Sequence, residues 1–526
     1  MKPYCPPALL CFVVLLGSLA VCPGESKISG DAWKRAREQA INRPRRIIFN
    51  NDGNEPVKEC KTTSPAELLS YRTTALAGSQ VDSIFYCTWS SGFGLFTHLT
   101  KVGQVFTSRE GRFTNNLMPE FVAKGIDPLR VMVDFAHSNR MELFWSFRVN
   151  DTHDGSATDY GPILFRTNTL KQAHPEWLIG SIDKKPKHGV WSAVDFGVAE
   201  IRDLAFRYCE EVCRNYDVDG IELDFFRHAF LFKCSGRGQP CGETELNQMT
   251  SLLQRIRAMT EAEGKKRGRP ILIAVRVPDS VEYGKTIGLD LENWLKRNLL
   301  DLLVVSGYTQ LNPWEYSVKL GHKYGVKVYP SLDESRVKDE SAKALRTSLE
   351  TYRGRALNVW SSGADGVYVF NFNHDPHSPL WRDLGDPKVL RTLDRNYFAS
   401  VRGVGSVPVP HQKFIRVPTL NPGSPISIAP GKTGSVEFFV GEDLSQLNKQ
   451  QRAMLRLQFK DSPPVHSLSV TLNDHKLKIQ STAGWFESPV DESLVRSGNN
   501  HLSINQPPET KGSLVLTDLY VSIRDK

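Results

Sequence analysis

The chain has 526 residues, 24% of them charged and 40% hydrophobic, with a formal net charge of +8. That length suits about two to three domains, and the composition excludes a disordered, fibrous or disulfide-scaffold protein. The positive residues are dispersed, and the densest run, KKRGR at 265–269, reads as a solvated loop with no recognition motif beside it. Nucleic acid is therefore not expected as a partner, whereas weak attraction to an anionic polymer is compatible with the charge.

Residues 1–24 read as a signal peptide. Lys2 precedes the apolar run ALLCFVVLLGSLAV, and Ser18 and Ala20 are small residues before a cut after Ala20 or Gly24. The run is short for a membrane-spanning helix, and no other segment is long and apolar enough. The mature chain is thus expected to be soluble and exported, secreted or periplasmic, without an integral membrane segment. LAVC at 19–22 also bears a weak likeness to a bacterial lipoprotein signal, so lipid anchoring at Cys22 is a minor alternative. Of the nine cysteines, Cys60, Cys87, Cys209, Cys213, Cys234 and Cys241 remain after the signal. Cys234 and Cys241 flank the loop SGRGQP and are expected to form a disulfide in an oxidising compartment. Cys209 and Cys213, four apart on a helix, read as two buried small residues. No CxxC pair or histidine cluster at ligand spacing is present, so neither a metal nor a cofactor is expected.

Residues 25–44 are a polar, helical lead-in. The stretch 45–55, RRIIFNNDGNE, is a buried strand ending in a polar loop. A helix opens at Ser64-Pro65 and runs to about Leu76. Strands follow at 81–88 and 141–154, with a helix from about Asp127 to Asn139 between them. The loop to residue 198 holds His153, Asp154, His174, Trp177 and Trp191, and loops of that length are usually functional. A helix over Ala199–Asn215 leads to VDGIELDFFR at 218–227, the fourth strand. There Ile221, Leu223 and Phe225 share one face and Glu222 and Asp224 the other. Helix and strand then alternate: strands at 270–278, 301–308, 326–334 and 364–373, and a last long helix from Lys338 to Ser361. Eight strand signals with a helix or long crossover between each pair predict a (β/α)₈ TIM barrel over 45–403. The alternative, a doubly wound sheet, wants a glycine-rich phosphate loop that NNDGNE does not supply. From 404 to 526, short alternating strands between turns predict a small antiparallel β-sandwich.

Function in such barrels sits at the C-terminal ends of the strands. The residues falling there include Asp52, Arg148, Asn150, His153, Arg276, Tyr308, Asn371 and Asn373 as groups to hold a substrate. Trp177 and Trp191 in the long loop, with Trp89, are candidate aromatic platforms for sugar faces. Cleaving a glycosidic bond needs two carboxyl groups in different environments. Asp224 is the candidate for the ionised member, with Arg148 or Arg276 holding its pKa down. The proton donor is left open among Glu222, Glu334 and Asp333. No G-x-S-x-G elbow is present, and Cys87 has no basic neighbour in sequence, so a Ser or Cys nucleophile is disfavoured. Asp52 and Glu55 are hard oxygen ligands, but their spacing does not fit an EF-hand loop.

DGIELDFF at 219–226 resembles the DGI-x-x-D strand of glycosyl-hydrolase-like barrels related to the alpha-amylase-type and family-ten-like groups. ELFWSFRVND, VVSGY and GADGVYVFNFN extend the resemblance over roughly 44–400. It implies an exported barrel with a C-terminal sandwich that acts on a poly- or oligosaccharide, and it matches Asp224 to the acidic residue of the family strand. The fifth strand ends in AVRVP, where amylase-type barrels place a Glu. A non-catalytic carbohydrate-binding barrel using the same carboxylates is the second function the sequence allows.

Overall fold

The computed structural model describes residues 30–371, 375–402, 412–461, 463–465 and 468–525. The signal segment with Cys22, and Asn373, lie outside the described residues. Eight parallel strands close into a barrel: β1 Ile47–Asn51, β2 Val81–Tyr86, β3 Glu142–Arg148, β4 Gly220–Asp224, β5 Leu272–Val277, β6 Leu302–Val305, β7 Lys327–Asp333 and β8 Val367–Phe370. Each pairs with its sequence neighbours, and β1 with β8 closes the ring. The TIM barrel expected from the alternation is therefore the fold. No helix among the described residues is long and apolar enough to cross a membrane.

The strands alternate as a barrel requires. Ile48, Phe85, Phe144, Leu272, Ala274, Leu302, Val304, Tyr329, Tyr368 and Phe370 fill the interior. Ile221, Leu223 and Phe225 join the core between strands and helices, which turns Glu222 and Asp224 inward. Gly220 is required here: a Cβ would lie 2.2 Å from the Phe144 ring, which stacks on Phe85 at 4.5 Å. The expected helix from Lys338 to Ser361 is two helices, Glu340–Arg346 and Leu349–Ser361. The break falls at Ser348, whose hydroxyl accepts from the Thr351 N–H and so caps the second helix rather than continuing the first.

The second region is two antiparallel sheets. One runs β9 Arg395–Phe398, β18 Leu514–Asp525, β12 Gln451–Phe459, β16 Trp485–Val490 and β15 Gln480–Thr482, with β10 Ile426–Ile428 also on β18. The other runs β11 Thr433–Val440, β17 Gly498–Asn505, β13 Ser469–Leu472 and β14 His475–Lys476. Strand β9 precedes residue 404, yet it pairs with β18 and packs on the helix Leu349–Ser361. Phe486 is core, and the half-buried Trp485 stands edge-on to Tyr520.

Cys209 and Cys213 are buried free thiols on the helix Ala199–Asn215. The Cys234 and Cys241 sulfurs lie 2.7 Å apart and are unbonded. In oxidised protein these two are expected to resist alkylation until a reductant is added; immediate labelling of both under oxidising conditions would refute the disulfide.

Candidate active site

The C-terminal end of the barrel carries three connected layers of charge. The deepest is Glu222. Its Oε2 accepts from the Ser146 hydroxyl at 2.5 Å and the Tyr368 hydroxyl at 3.0 Å, while Oε1 is buried with no partner. Burial, then the neighbouring Asp224 charge, pushes the Glu222 carboxyl up to about 8 against Arg276 and those two hydroxyls. It is a neutral acid at pH 7.

One step up the same strand face, Asp224 is a clamp. Oδ2 meets Arg276 Nη1 at 3.1 Å, and Oδ1 accepts from the N–H groups of Phe226 and Arg227 at 3.0 and 2.9 Å. Arg276 in turn lies 3.6 Å over the Phe370 ring. Gly307, just past β6, leaves room for this guanidinium, because a Cβ there would sit 2.5 Å from Nη2. The expected Asp224–Arg pairing is thus present, with Arg276. Both carboxylate side chains are sealed: Asp224 has 0% side-chain exposure, and Glu222 as a residue has 0%.

The third layer reaches solvent. Arg148, at the end of β3, pairs with Asp52 beyond β1 and lies 3.8 Å from Asp151. Burial alone would raise the Asp52 carboxyl, but Arg148, with Arg72 and Arg227, outweighs it and holds it at about 2. Asp151 accepts from the Ser91 hydroxyl and the Gly92 and His153 N–H groups, and meets His153 Nδ1 at 2.7 Å. That bond places the proton on Nδ1, so Nε2 accepts from Arg227 Nη2 at 3.1 Å. Arg227 also lies 5.5 Å over Tyr308 and 5.8 Å over Phe370.

These residues face a cleft of about 310 Å³ lined by Asp52, Asn54, Lys58, Trp89, Ser91, Arg112, Phe113, Arg148, His153, Tyr160 and Arg227, among others. The volume is at the lower end of ordinary ligand sites, roughly 300–1,000 Å³. Backbone strain gathers around it. Thr88, Trp89 and Ser90, at the end of β2, all have positive φ, as do Ser306 after β6 and Asn371 after β8. Such residues cost on the order of 1 kcal/mol each and collect where a site dictates the backbone. Thr88 Oγ1 helps hold the turn: it accepts from Trp145 Nε1 at 2.9 Å and lies 3.1 Å from His98 Nδ1.

Of the residues singled out in the sequence, Asp52, Arg148, His153 and the nearly buried Trp89 line the cleft. Asn371 donates to the Tyr308 hydroxyl beside Arg227. Glu334, with 29% side-chain exposure, pairs with Arg336 at 2.9 Å, and Arg336 lies 3.8 Å over the Tyr308 ring. Other residues are occupied elsewhere. Asp333 is fully buried between Arg402 at 2.5 Å and Arg355 at 3.4 Å. Asn150 is consumed by the backbone of Val194 and Phe230, which it ties together. Trp177 stacks on His174 at 3.7 Å and Trp191 meets Phe165 at 4.6 Å, and neither lines the cleft. Burial pushes the Cys87 thiol up to about 12, which removes it as a nucleophile.

Sequence reasoning did not single out Lys58, Arg112 or Tyr160. They come from loops after β1, β2 and β3 that fold over the mouth, and no local pattern marks them. Asp151, His153 and His228 offer atoms within 4.8 Å of one another that could hold a metal ion. Arg148 and Arg227 press on the same three groups, and Asp151 already accepts four hydrogen bonds, so the set fits a hydrogen-bonded network better than a cation.

No protein-family profile and no curated protein matches the chain. Among solved structures, it is similar to a cycloisomaltooligosaccharide glucanotransferase from Paenibacillus sp. at 10% identity and TM-score 0.35, covering 91% of this chain and 57% of that one. It is similar to alpha-L-fucosidase isoenzyme 2 from Paenibacillus thiaminolyticus at 11% and 0.38, covering 88% and 100%. It is also similar to an isomalto-dextranase from Arthrobacter globiformis T6 at 10% and 0.36, covering 92% and 98%. The chain thus spans little more than half of the glucanotransferase. At these identities no activity transfers from them to this chain.

Proposed function

We propose that the chain is an exported glycoside hydrolase that holds a poly- or oligosaccharide in the mouth cleft and cleaves its glycosidic bonds. The observation that carries this reading is Asp52: an ionised carboxylate, 29% exposed, at the strand ends of a barrel and in a cleft that Trp89, Phe113 and Tyr160 also line. Aromatic side chains suit the apolar faces of sugars, and a low-pKa carboxylate suits attack on an anomeric carbon or deprotonation of water. In this assignment Glu334, part-exposed where Glu222 and Asp333 are fully buried, gives the proton to the leaving oxygen. Asp224 acts from beneath, fixing the turn that aims Arg227, and Glu222 lies deeper, held by Ser146 and Tyr368.

A second reading, a carbohydrate-binding barrel without turnover, is favoured by the sealing of Asp224 and Glu222 and by the Arg148–Asp52 pair. A panel of oligosaccharides, scored for both binding and release of reducing ends, separates the two. Hydrolysis is expected, and Asp52→Asn is expected to lower turnover at least about 10²-fold while the sugar still binds. Binding without turnover in the unaltered protein establishes the second reading instead. A chain that binds no sugar fails both.

A further inference from the structure

The cleft is electrostatically unbalanced. Its lining includes four fixed cations, Lys58, Arg112, Arg148 and Arg227, and two carboxylates, Asp52 and Glu59. Arg148 is matched by Asp52 and Asp151, and Arg112 by Asp159 at 3.3 Å on the exposed rim. Lys58 and Arg227 form no ion pair with any described residue. Arg227 is the more telling, because it is half buried and held in place. Asp224 pins its backbone N–H, His153 takes Nη2, and Tyr308 and Phe370 lie under the guanidinium. Its Nε is buried without a hydrogen-bond partner. Withdrawing a guanidinium from water without an anion is costly, and its rigid fork matches the oxygens of a carboxylate or sulfate. Lys58, exposed beside the cleft, has Arg72, Arg112 and Arg148 around it.

We infer that the cleft selects a glycan bearing anionic substituents, uronate carboxylates or sulfate esters, with Arg227 and Lys58 as the counter-ions. The inference rests on the cleft being a sugar site. It also gives Arg227 a contact ion pair, which none of the described residues supplies.

The test is calorimetric titration of the full mature chain with three oligosaccharides of equal length: a neutral glucan, a galacturonate and a sulfated galactan. At low salt, at least one acidic oligomer is expected to bind about tenfold or more tightly than the neutral one, and the preference should shrink as salt rises. Whichever acidic oligomer binds identifies the anion. Arg227→Gln is expected to lower the ratio of acidic to neutral affinity about tenfold to a hundredfold, the range for charge-assisted hydrogen bonds. Lys58→Gln, at an exposed position where the fold is not at stake, should lower the same ratio in the same direction. Neutral and acidic oligomers binding alike, or a ratio unmoved by both variants, overturns the inference and leaves the sugar site standing. Absence of binding by all three overturns the sugar site and the inference together.

Discussion

Asp224→Asn is expected to destabilise the protein by less than the loss of a buried ion pair usually does, and adding Glu222→Gln to it is expected to bring the full loss. Breaking a buried pair by removing one partner typically costs about 3–5 kcal/mol, because the remaining charge is stranded. Here a reserve carboxyl lies one step deeper. Glu222 is neutral because it is buried and because Asp224 is already charged beside it. Once the Asp224 charge is gone, that repulsion goes with it, and Glu222 can ionise against Arg276, whose charge both carboxyl groups support. Glu222→Gln alone should cost little near neutral pH, since it replaces a neutral acid by a neutral amide. The double variant has no anion left for Arg276, so its loss should exceed the sum of the single losses by about 1–3 kcal/mol. Strict additivity in denaturant unfolding would show that Glu222 never substitutes for Asp224.

The same pair sets a pH dependence of defined sign. Unfolded, Glu222 loses its proton near its ordinary pKa; folded, it keeps it up to about 8. Between those values the folded state binds the extra proton, so this contribution falls as pH rises, by up to about 1.4 kcal/mol per unit. Histidines titrate in part of the range, so the diagnostic quantity is the unaltered chain minus Glu222→Gln, which cancels them. That difference should decline from pH 5 to pH 8. A flat difference would mean that Glu222 is ionised in the fold.

This pair was legible in the sequence because its cause is local. Alternation along Gly220–Asp224 puts both carboxylates on one face, and eight such alternating stretches sufficed to call for the closed barrel. What alternation cannot tell is whether a strand-end carboxylate is open to the cleft or already matched. Asp333 and Glu334 are adjacent in sequence, yet one is locked between Arg402 and Arg355 and the other is part-exposed and paired with Arg336. Arg402 comes from beyond the last barrel helix, a partner that no spacing rule reaches. The loop tryptophans differ for a similar reason: Trp177 and Trp191 each found a ring within their own loop region, whereas Trp89 was carried to the cleft by three consecutive residues of positive φ. Strand β9, RNYF, is too short to be read without the partner β18 that completes it.

Asp518→Ala is expected to lower stability by about 3–5 kcal/mol, the largest single loss anticipated outside the cleft. Asp518 lies on β18, and its two oxygens meet Arg346 Nη1 and Nη2 at 2.7 Å each. Arg346 belongs to the helix Glu340–Arg346 of the barrel region, so this fork joins the two parts of the chain. Neither side chain sees more than 1% exposure, and the guanidinium also lies 4.4 Å over Phe398 of β9. Alanine strands that guanidinium where water does not reach, and the remaining bonds, to the carbonyls of Ala342 and Ser400, carry no full charge. Replacing both partners by apolar residues, Arg346→Met with Asp518→Leu, should recover much of the loss, since the penalty comes from the unpaired charge rather than from the missing contact. A segment running from 394 to 526 gives the contrast. It keeps β9 on β18 but has no Arg346, so Asp518→Ala there should move the melting temperature little. Equal losses in the whole chain and in the segment would place the role of Asp518 within its own sheet and not across the junction with the barrel.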